Sequence, residues 1–392
     1  MSIARGTVRL GSDVLLASGR LRGARVGIVC NPASVGAGYA HVIDRLRDAE
    51  GVRLGAIFGP QHGFRSDVQD NMIETPHRDD PRRQVPVYSL YSETREPTAD
   101  MLRGLDVLVI DLQDVGARIY TYVYTMANCL RAAARHGVPV IVCDRPNPIG
   151  GLLVEGACLE AGYESFVGQF AIPMRHGMTI GELALLFNVH FGLGAPLEVV
   201  EMEGWRRAMH ADETGLPWVM PSPNMPTLDT ALVYPGTVLF EGTMLSEGRG
   251  TTRPFELVGA PWIDAEVLAA RMNDLGLPGV HCRPAGFEPT FQKHARQYCG
   301  GCQLHVTDRE AFRPVLTGAS LITELRRCDP DRFAWREPPY EYEHTRLPID
   351  ILAGSTTLRM QVEDGASPTT IAASWADDEQ AFAALRTPYL RY

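Results

Sequence analysis

Asp106-Val-Leu-Val-Ile-Asp-Leu-Gln-Asp-Val-Gly-Ala-Arg-Ile-Tyr-Thr-Tyr122 opens with an apolar run, Val107 to Ile110, and then turns polar at Asp111, Gln113, Asp114, Arg118, Tyr120 and Thr121. A short apolar run bounded by polar residues reads as a buried strand. The stretches on either side repeat the pattern. Arg25-Val-Gly-Ile-Val-Cys-Asn-Pro32, Leu54-Gly-Ala-Ile-Phe58, Val85-Pro-Val-Tyr-Ser-Leu-Tyr91 and Val138-Pro-Val-Ile-Val-Cys-Asp144 are apolar runs that end in polar groups or Gly and Pro. Helical spacing falls between them, over Tyr39 to Glu50, Pro97 to Leu102, and from Tyr122 to a stop at Gly137. Alternating strands and helices predict βαβ units and a parallel sheet covered on both faces. Residues 20 to about 150 therefore read as a Rossmann-like, doubly wound α/β half. Chemistry in such sheets collects beyond the carboxyl ends of the strands, where Asp111 and Asp114 stand.

Further along, Thr179 and Glu182 spell a capping box for a helix, and Leu197 to Met202 reads as a strand. Two long loops rich in Pro, Gly and aromatic residues follow, Trp218 to Thr227 and Tyr234 to Pro254; structureless loops of that length in a compact chain are usually functional. After residue 260 the spacing predicts helices over Val267–Leu275 and Ala311–Leu325, a strand over Gln303–Thr307 and a last helix over Asp378–Leu385. The expected division is a Rossmann-like catalytic domain, 1–259, and a smaller C-terminal α/β domain, 260–392, closing the cleft.

The length of 392 residues allows two or three domains, and 45% apolar residues suffice for a core. A net charge of -10 speaks against nucleic acid as partner. Lys293 is the sole lysine, which excludes a Walker A loop. Gly36-Ala-Gly38 lacks the third glycine of a dinucleotide fingerprint, since position 41 is His. No Gly-x-Ser-x-Gly elbow and no His-Glu-x-x-His occurs. Cys299-Gly-Gly-Cys302 is a single C-x-x-C without a second pair, a weak metal signal. The opening residues show no apolar export segment and no stretch is long enough to span a membrane, so the expectation is a cytoplasmic chain without a membrane partner. Its oligomeric state is left open.

The candidate cleft gathers carboxylates (Asp111, Asp114, Glu241, Glu247), arginines (Arg118, Arg145, Arg175, Arg249), imidazoles (His62, His176) and amides (Gln61, Asn147, Asn224). Two hydrolytic chemistries fit: glycoside hydrolysis by two carboxyls, one protonated and one not, and metal-assisted hydrolysis through His and Asp. Several guanidinium groups imply an anionic substrate. Tyr120, Tyr122, Trp218 and Tyr234 offer stacking faces for a sugar. Each group also has a structural alternative: Asp111 and Asp114 as turn caps, Arg118 as a partner of Asp114, and Glu241 as a loop anchor.

Six stretches, in order, carry a family resemblance: Phe58-Gly-Pro-Gln-His-Gly-Phe-Arg65, Asp111 to Tyr122, Asp144-Arg-Pro-Asn-Pro-Ile-Gly-Gly151, Pro173-Met-Arg-His-Gly-Met-Thr179, Pro221-Ser-Pro-Asn-Met-Pro-Thr227 and Ser246-Glu-Gly-Arg-Gly-Thr-Thr252. Together they resemble the NamZ-type exo-β-N-acetylmuramidases, a family long carried as a domain of unknown function. The resemblance implies a Rossmann-like domain, a smaller α/β domain and a cleft between them. It also implies release of N-acetylmuramic acid from non-reducing ends of peptidoglycan fragments, without metal or organic cofactor, and a small muropeptide-derived saccharide as substrate. The family pattern has Glu-His-Gly where this chain has Gln61-His62-Gly63, and an amide cannot exchange a proton at that step. On this reading Glu247 or Glu241 is the acid/base and Asp111 or Asp114 its partner. Arg118, Arg145 and Arg249 hold the lactyl carboxylate, while Gln61, His62, Tyr120, Asn147, His176 and Asn224 position the sugar. The alternatives are a non-catalytic or altered binder of a sugar acid, suggested by Gln61, and a metal-dependent hydrolase acting through His62, His176 and Asp residues.

Overall fold

The computed structural model describes residues 7–66 and 72–392. Asp67, Asp70 and Asn71 of the polar stretch after Arg65 lie outside the described residues. The described residues form twelve strands: β1 (Arg25–Cys30), β2 (Arg53–Gly59), β3 (Arg78–Asp80), β4 (Val85–Ser89), β5 (Val107–Asp111), β6 (Val140–Cys143), β7 (Glu155–Cys158), β8 (Pro173–Arg175), β9 (Leu197–Val200), β10 (Leu257–Ala260), β11 (Val280–Phe287) and β12 (Cys299–Val306).

Seven strands form the central sheet, in the order β3-β4-β2-β1-β5-β6-β9. All its pairings are parallel except β3 with β4. The doubly wound α/β expectation is met. β5 is buried at all five positions because it has a neighbour on each side and helices over both faces. The helix Tyr122–His136 follows it and ends on Gly137 at φ 68°, the left-handed stop that the sequence signalled. Chain order reverses between β1 and β5, so the crevice of the fold lies beyond those two strand ends.

Outside the central sheet, β10, β12 and β11 form an antiparallel sheet, with the helix Ala265–Asp274 against it. Cys299 and Cys302 lie three apart on β12, so their side chains leave opposite faces, and both thiols are free. That geometry does not suit a shared metal.

The stretch Tyr234–Pro254, expected as loop, is regular at its start: a helix runs over Leu228–Thr237 and a 3-10 turn over Val238–Gly242. Pro235 disguised the helix. Thr227 caps it, accepting from the Thr230 amide. This helix crosses Pro314–Cys328 at backbone contact. A Cβ on Gly236 would fall 1.8 Å from the Pro314 carbonyl oxygen, and one on Gly318 would fall 2.3 Å from the Gly236 oxygen. Two glycines at one crossing thus dock the C-terminal region onto the loops that follow the central sheet. No helix among the described residues is long and apolar enough to cross a membrane.

Candidate active site

A cavity opens on the carboxyl-end side of β2 and β5. Gln61 and His62 reach it from the loop after β2, Tyr120 and Thr121 from the loop after β5, and Tyr122 from the start of the helix that follows. Ser222, Asn224 and Met225 come from the Pro-rich loop, Tyr234 from the helix after it, and Glu241, Arg249 and Phe255 from the segment beyond. Tyr340 and Glu341 close it from the C-terminal region.

The loop after β2 is tight. A Cβ on Gly59 would meet the Phe64 nitrogen at 2.7 Å, and His62 itself sits at φ 69°. A non-glycine residue held there costs of order 1–2 kcal/mol, a strain that clusters at functional sites.

Eight of the residues singled out from sequence meet in this cavity: Gln61, His62, Tyr120, Tyr122, Asn224, Tyr234, Glu241 and Arg249. Arg249 Nη1 binds Glu241 Oε1 at 2.7 Å and Glu247 Oε1 at 2.9 Å. Glu241 also accepts from the Tyr340 hydroxyl at 2.7 Å. Glu247 lies behind Arg249 and pairs with Lys293 at 2.7 Å. Lys293 donates in addition to the carbonyls of Phe240, Thr243 and Leu245, so the only lysine of the chain pins the segment that carries the acids. Burial works to raise the Glu247 carboxyl, but Lys293 and Arg249 overcome it and hold it at about 2.

The others are placed elsewhere. Asp111 pairs with Arg145 at 2.9 Å, both buried, and Arg145 donates further to Gln113, Ala33 and Val35. These contacts fill the crevice between β1 and β5 from inside. A second hollow lies over them, lined by Gln113, Arg145, Pro146 and Trp218 among others. Asp114 accepts from the Gly116 amide at 2.7 Å and faces His176 at 3.3 Å. His176 is fully buried, its Nδ1 accepting from the Met178 amide. Arg118 is fully buried and donates to four backbone carbonyls, those of Ala157, Ile172, Leu352 and Ala353. Asn147 ties Met178 to Ile149. Among the described residues no three His, Cys, Asp or Glu side chains are grouped as metal ligands.

The sequence reading missed Glu341. Tyr340 and Glu343 exchange both backbone hydrogen bonds, at 2.8 and 2.9 Å, so Glu341 and Tyr342 form the tip of a two-residue turn. Both tip residues have positive φ, 45° and 71°, as the tightest hairpin turns require. Asn-Gly is the usual signal for such a turn. Here the only hint was Pro338-Pro339 ahead of an alternating Tyr-Glu run.

Comparison with known proteins agrees over the whole length. The family described as "Exo-beta-N-acetylmuramidase NamZ, N-terminal" matches residues 26–229, and its C-terminal counterpart matches 232–392. The chain belongs to the NamZ exo-β-N-acetylmuramidase family. It is 47% identical over 387 residues to the peptidoglycan β-N-acetylmuramidase NamZ of Bacillus subtilis strain 168, covering 98% of this chain and 91% of that protein. Two solved structures of DUF1343 family proteins from Bacteroides fragilis share the fold. One superposes with TM-score 0.89 at 36% identity and full coverage of both chains. The other gives 0.77 at 29% identity, with 99% of each chain covered. The resemblance carried by the six motifs is thus a family relationship.

Proposed function

We propose that this family member is an exo-acting glycosidase that removes N-acetylmuramic acid from the non-reducing ends of peptidoglycan fragments. The observation that carries the reading is the match to a named peptidoglycan β-N-acetylmuramidase along 98% of the chain. The cavity supports it. Glycoside hydrolysis takes two carboxyls at one site, and Glu241 and Glu341 both line this one. Arg249 is the guanidinium there and fits the lactyl carboxylate that distinguishes muramic acid from glucosamine. Tyr120, Tyr234, Phe255 and Tyr340 give the sugar flat apolar walls, and Gln61, His62 and Asn224 offer polar contacts to its hydroxyls and amide. On this reading Glu241 takes the role that the sequence pattern offered to Asp111 or Asp114. Glu247 and Lys293 then set the position and charge of Arg249 from behind.

The division at residue 259 belongs to the same proposal: the part before it supplies most of the cavity, and the part after it supplies Tyr340 and Glu341. So does a cytoplasmic setting with a recycling role, in which the substrate is a small imported saccharide. All eight cysteines are free thiols, as suits a reducing compartment. Cell fractionation checks the location.

Turnover of a chromogenic β-N-acetylmuramide beside the matching β-N-acetylglucosaminide, with and without chelator, tests the activity. The expected result is hydrolysis of the muramide alone, unchanged by chelator. Muramic acid binding without turnover of either compound would replace the enzyme by a sugar-acid binder, the reading that Gln61 motivates. Activity abolished by chelator and restored by a divalent ion would replace it by a metal-dependent hydrolase.

A further inference from the structure

Two carboxyls line the cavity, and their surroundings differ in kind. Glu241 is ion-paired with Arg249 at 2.7 Å. Glu341 is only 4% exposed, and its two oxygens accept from neutral donors, the Tyr91 hydroxyl at 2.9 Å and the Gln61 amide at 3.2 Å. The Gln61 amide is oriented for this, because Thr121 donates to its oxygen at 2.9 Å. The turn that carries Glu341 is held at its neighbour: the Tyr342 hydroxyl donates to Glu74 at 3.1 Å, and the Arg95 guanidinium lies 4.3 Å from the Tyr342 ring centre. A positive φ at a bulky residue is maintained only where its surroundings over-determine it. Here the strained position delivers a carboxyl to the cavity.

Resting on the muramidase reading, we propose that Glu341 is the catalytic acid, protonating the leaving oxygen while Glu241 faces the developing sugar cation. The C1–O bond breaks with its electron pair going to that oxygen, which takes the proton from Glu341 and departs as an alcohol. Water then completes the sugar product and returns a proton to the Glu341 carboxylate. Gln61 is the fixed amide that holds the acid in place. A carboxyl at position 61 would stand beside Glu341 and compete with it for one proton.

The charge environment supports the role. Burial drives the Glu341 carboxyl up to about 7; Tyr91 and Gln61 oppose it through their hydrogen bonds, Glu241 adds to it, and Arg249 opposes it. An acid poised near neutral pH is protonated often enough to donate and acidic enough to let go.

The test uses two leaving groups, the N-acetylglucosamine of the natural disaccharide and 2,4-dinitrophenol, which needs no protonation to depart. In Glu341→Gln, kcat on the disaccharide is expected to fall by about 10²–10⁴. Turnover of the dinitrophenyl muramide should fall less than about tenfold, and the basic limb of the pH profile near 7 should vanish. A second variant leaves the carboxyl in place: Tyr91→Phe removes one donor to the carboxylate and should move that limb to higher pH. Equal losses on both substrates, or a basic limb unmoved in both variants, would overturn the proposal. Wild-type protein inert toward both muramides would instead overturn the muramidase reading, and the role of Glu341 with it.

Discussion

At the ends of β5 and β6, Asp111 and Arg145 pair with each other, and Arg145 and the nearby-in-sequence Arg118 donate to backbone carbonyls. In the loop cavity, Glu241, Arg249 and Glu341 are also hidden from bulk water, yet all three line one hollow, whereas of those strand-end groups only Arg145 lines one. Both regions are dense in buried charge, and both arise from polar residues after apolar runs. The first closes the gaps that a parallel sheet leaves where its strands stop. The second places its charged groups on the wall of a cavity. Within the loop region itself, Glu247 and Glu341 add a second contrast. Both are buried glutamates, but one is held at about 2 by two cations, and the other is raised to about 7 where its partners are neutral. Burial alone does not set the protonation state of a carboxyl; the charge of its partners does.

The largest effect is expected at the strand ends and in stability alone. Arg118→Met leaves four buried carbonyls without a donor and should cost about 3–5 kcal/mol. Chemical denaturation measures it, and activity per folded molecule should stay near wild type. A large loss of kcat with unchanged stability would move Arg118 into the catalytic region.

Next is Lys293→Met, which strips Glu247 of one of its two cations. A broken buried pair costs about 3–5 kcal/mol, reduced here because Arg249 still binds Glu247. Glu247 is depressed in the folded chain, so its contribution is present above its unfolded pKa and lost as pH falls toward 2. The variant should therefore lose most of its stability difference from wild type in acid. Parallel stability curves at all pH values would show that Lys293 acts only through its carbonyl contacts.

A smaller effect separates the two classes of carboxyl by pH. Burial pushes Asp144, Glu155 and Glu341 each to about 7. Raised groups bind protons in the folded chain that the unfolded chain releases near 4. Their contribution is complete below the unfolded value and is lost as pH rises through 7. Thermal midpoints should drop between pH 5.5 and pH 8, and Glu341→Gln should flatten part of that slope. An unchanged slope in Glu341→Gln would remove Glu341 from the raised class.

The central sheet was legible because its strands are apolar runs cut off by Gly, Pro or polar residues, a signal that a buried parallel strand can hardly avoid. β3 escaped because Arg78-Asp79-Asp80 is an edge strand with no apolar residue. The helix Leu228–Thr237 escaped because Pro235 mimics a breaker. Within the site, Gln61, His62, Asn224, Glu241 and Arg249 announced themselves through turn-forming neighbours. Asp111 and Arg118 carried the same signature for a different reason, since sealing a strand end and serving a substrate both call for polar side chains at that place. Glu341 gave almost no signal. Its position depends on a strained turn whose residues are not turn formers, and on a contact with Gln61 across most of the chain.

The most direct test of the contrast between the regions is kcat/KM for a chromogenic β-N-acetylmuramide in Glu241→Gln and Asp111→Asn, each corrected for its folded fraction. With the chemistry in the loop cavity, Glu241→Gln should lose about 10²-fold or more while Asp111→Asn stays within about tenfold of wild type. A collapse in Asp111→Asn with Glu241→Gln left active would put the chemistry back at the strand ends.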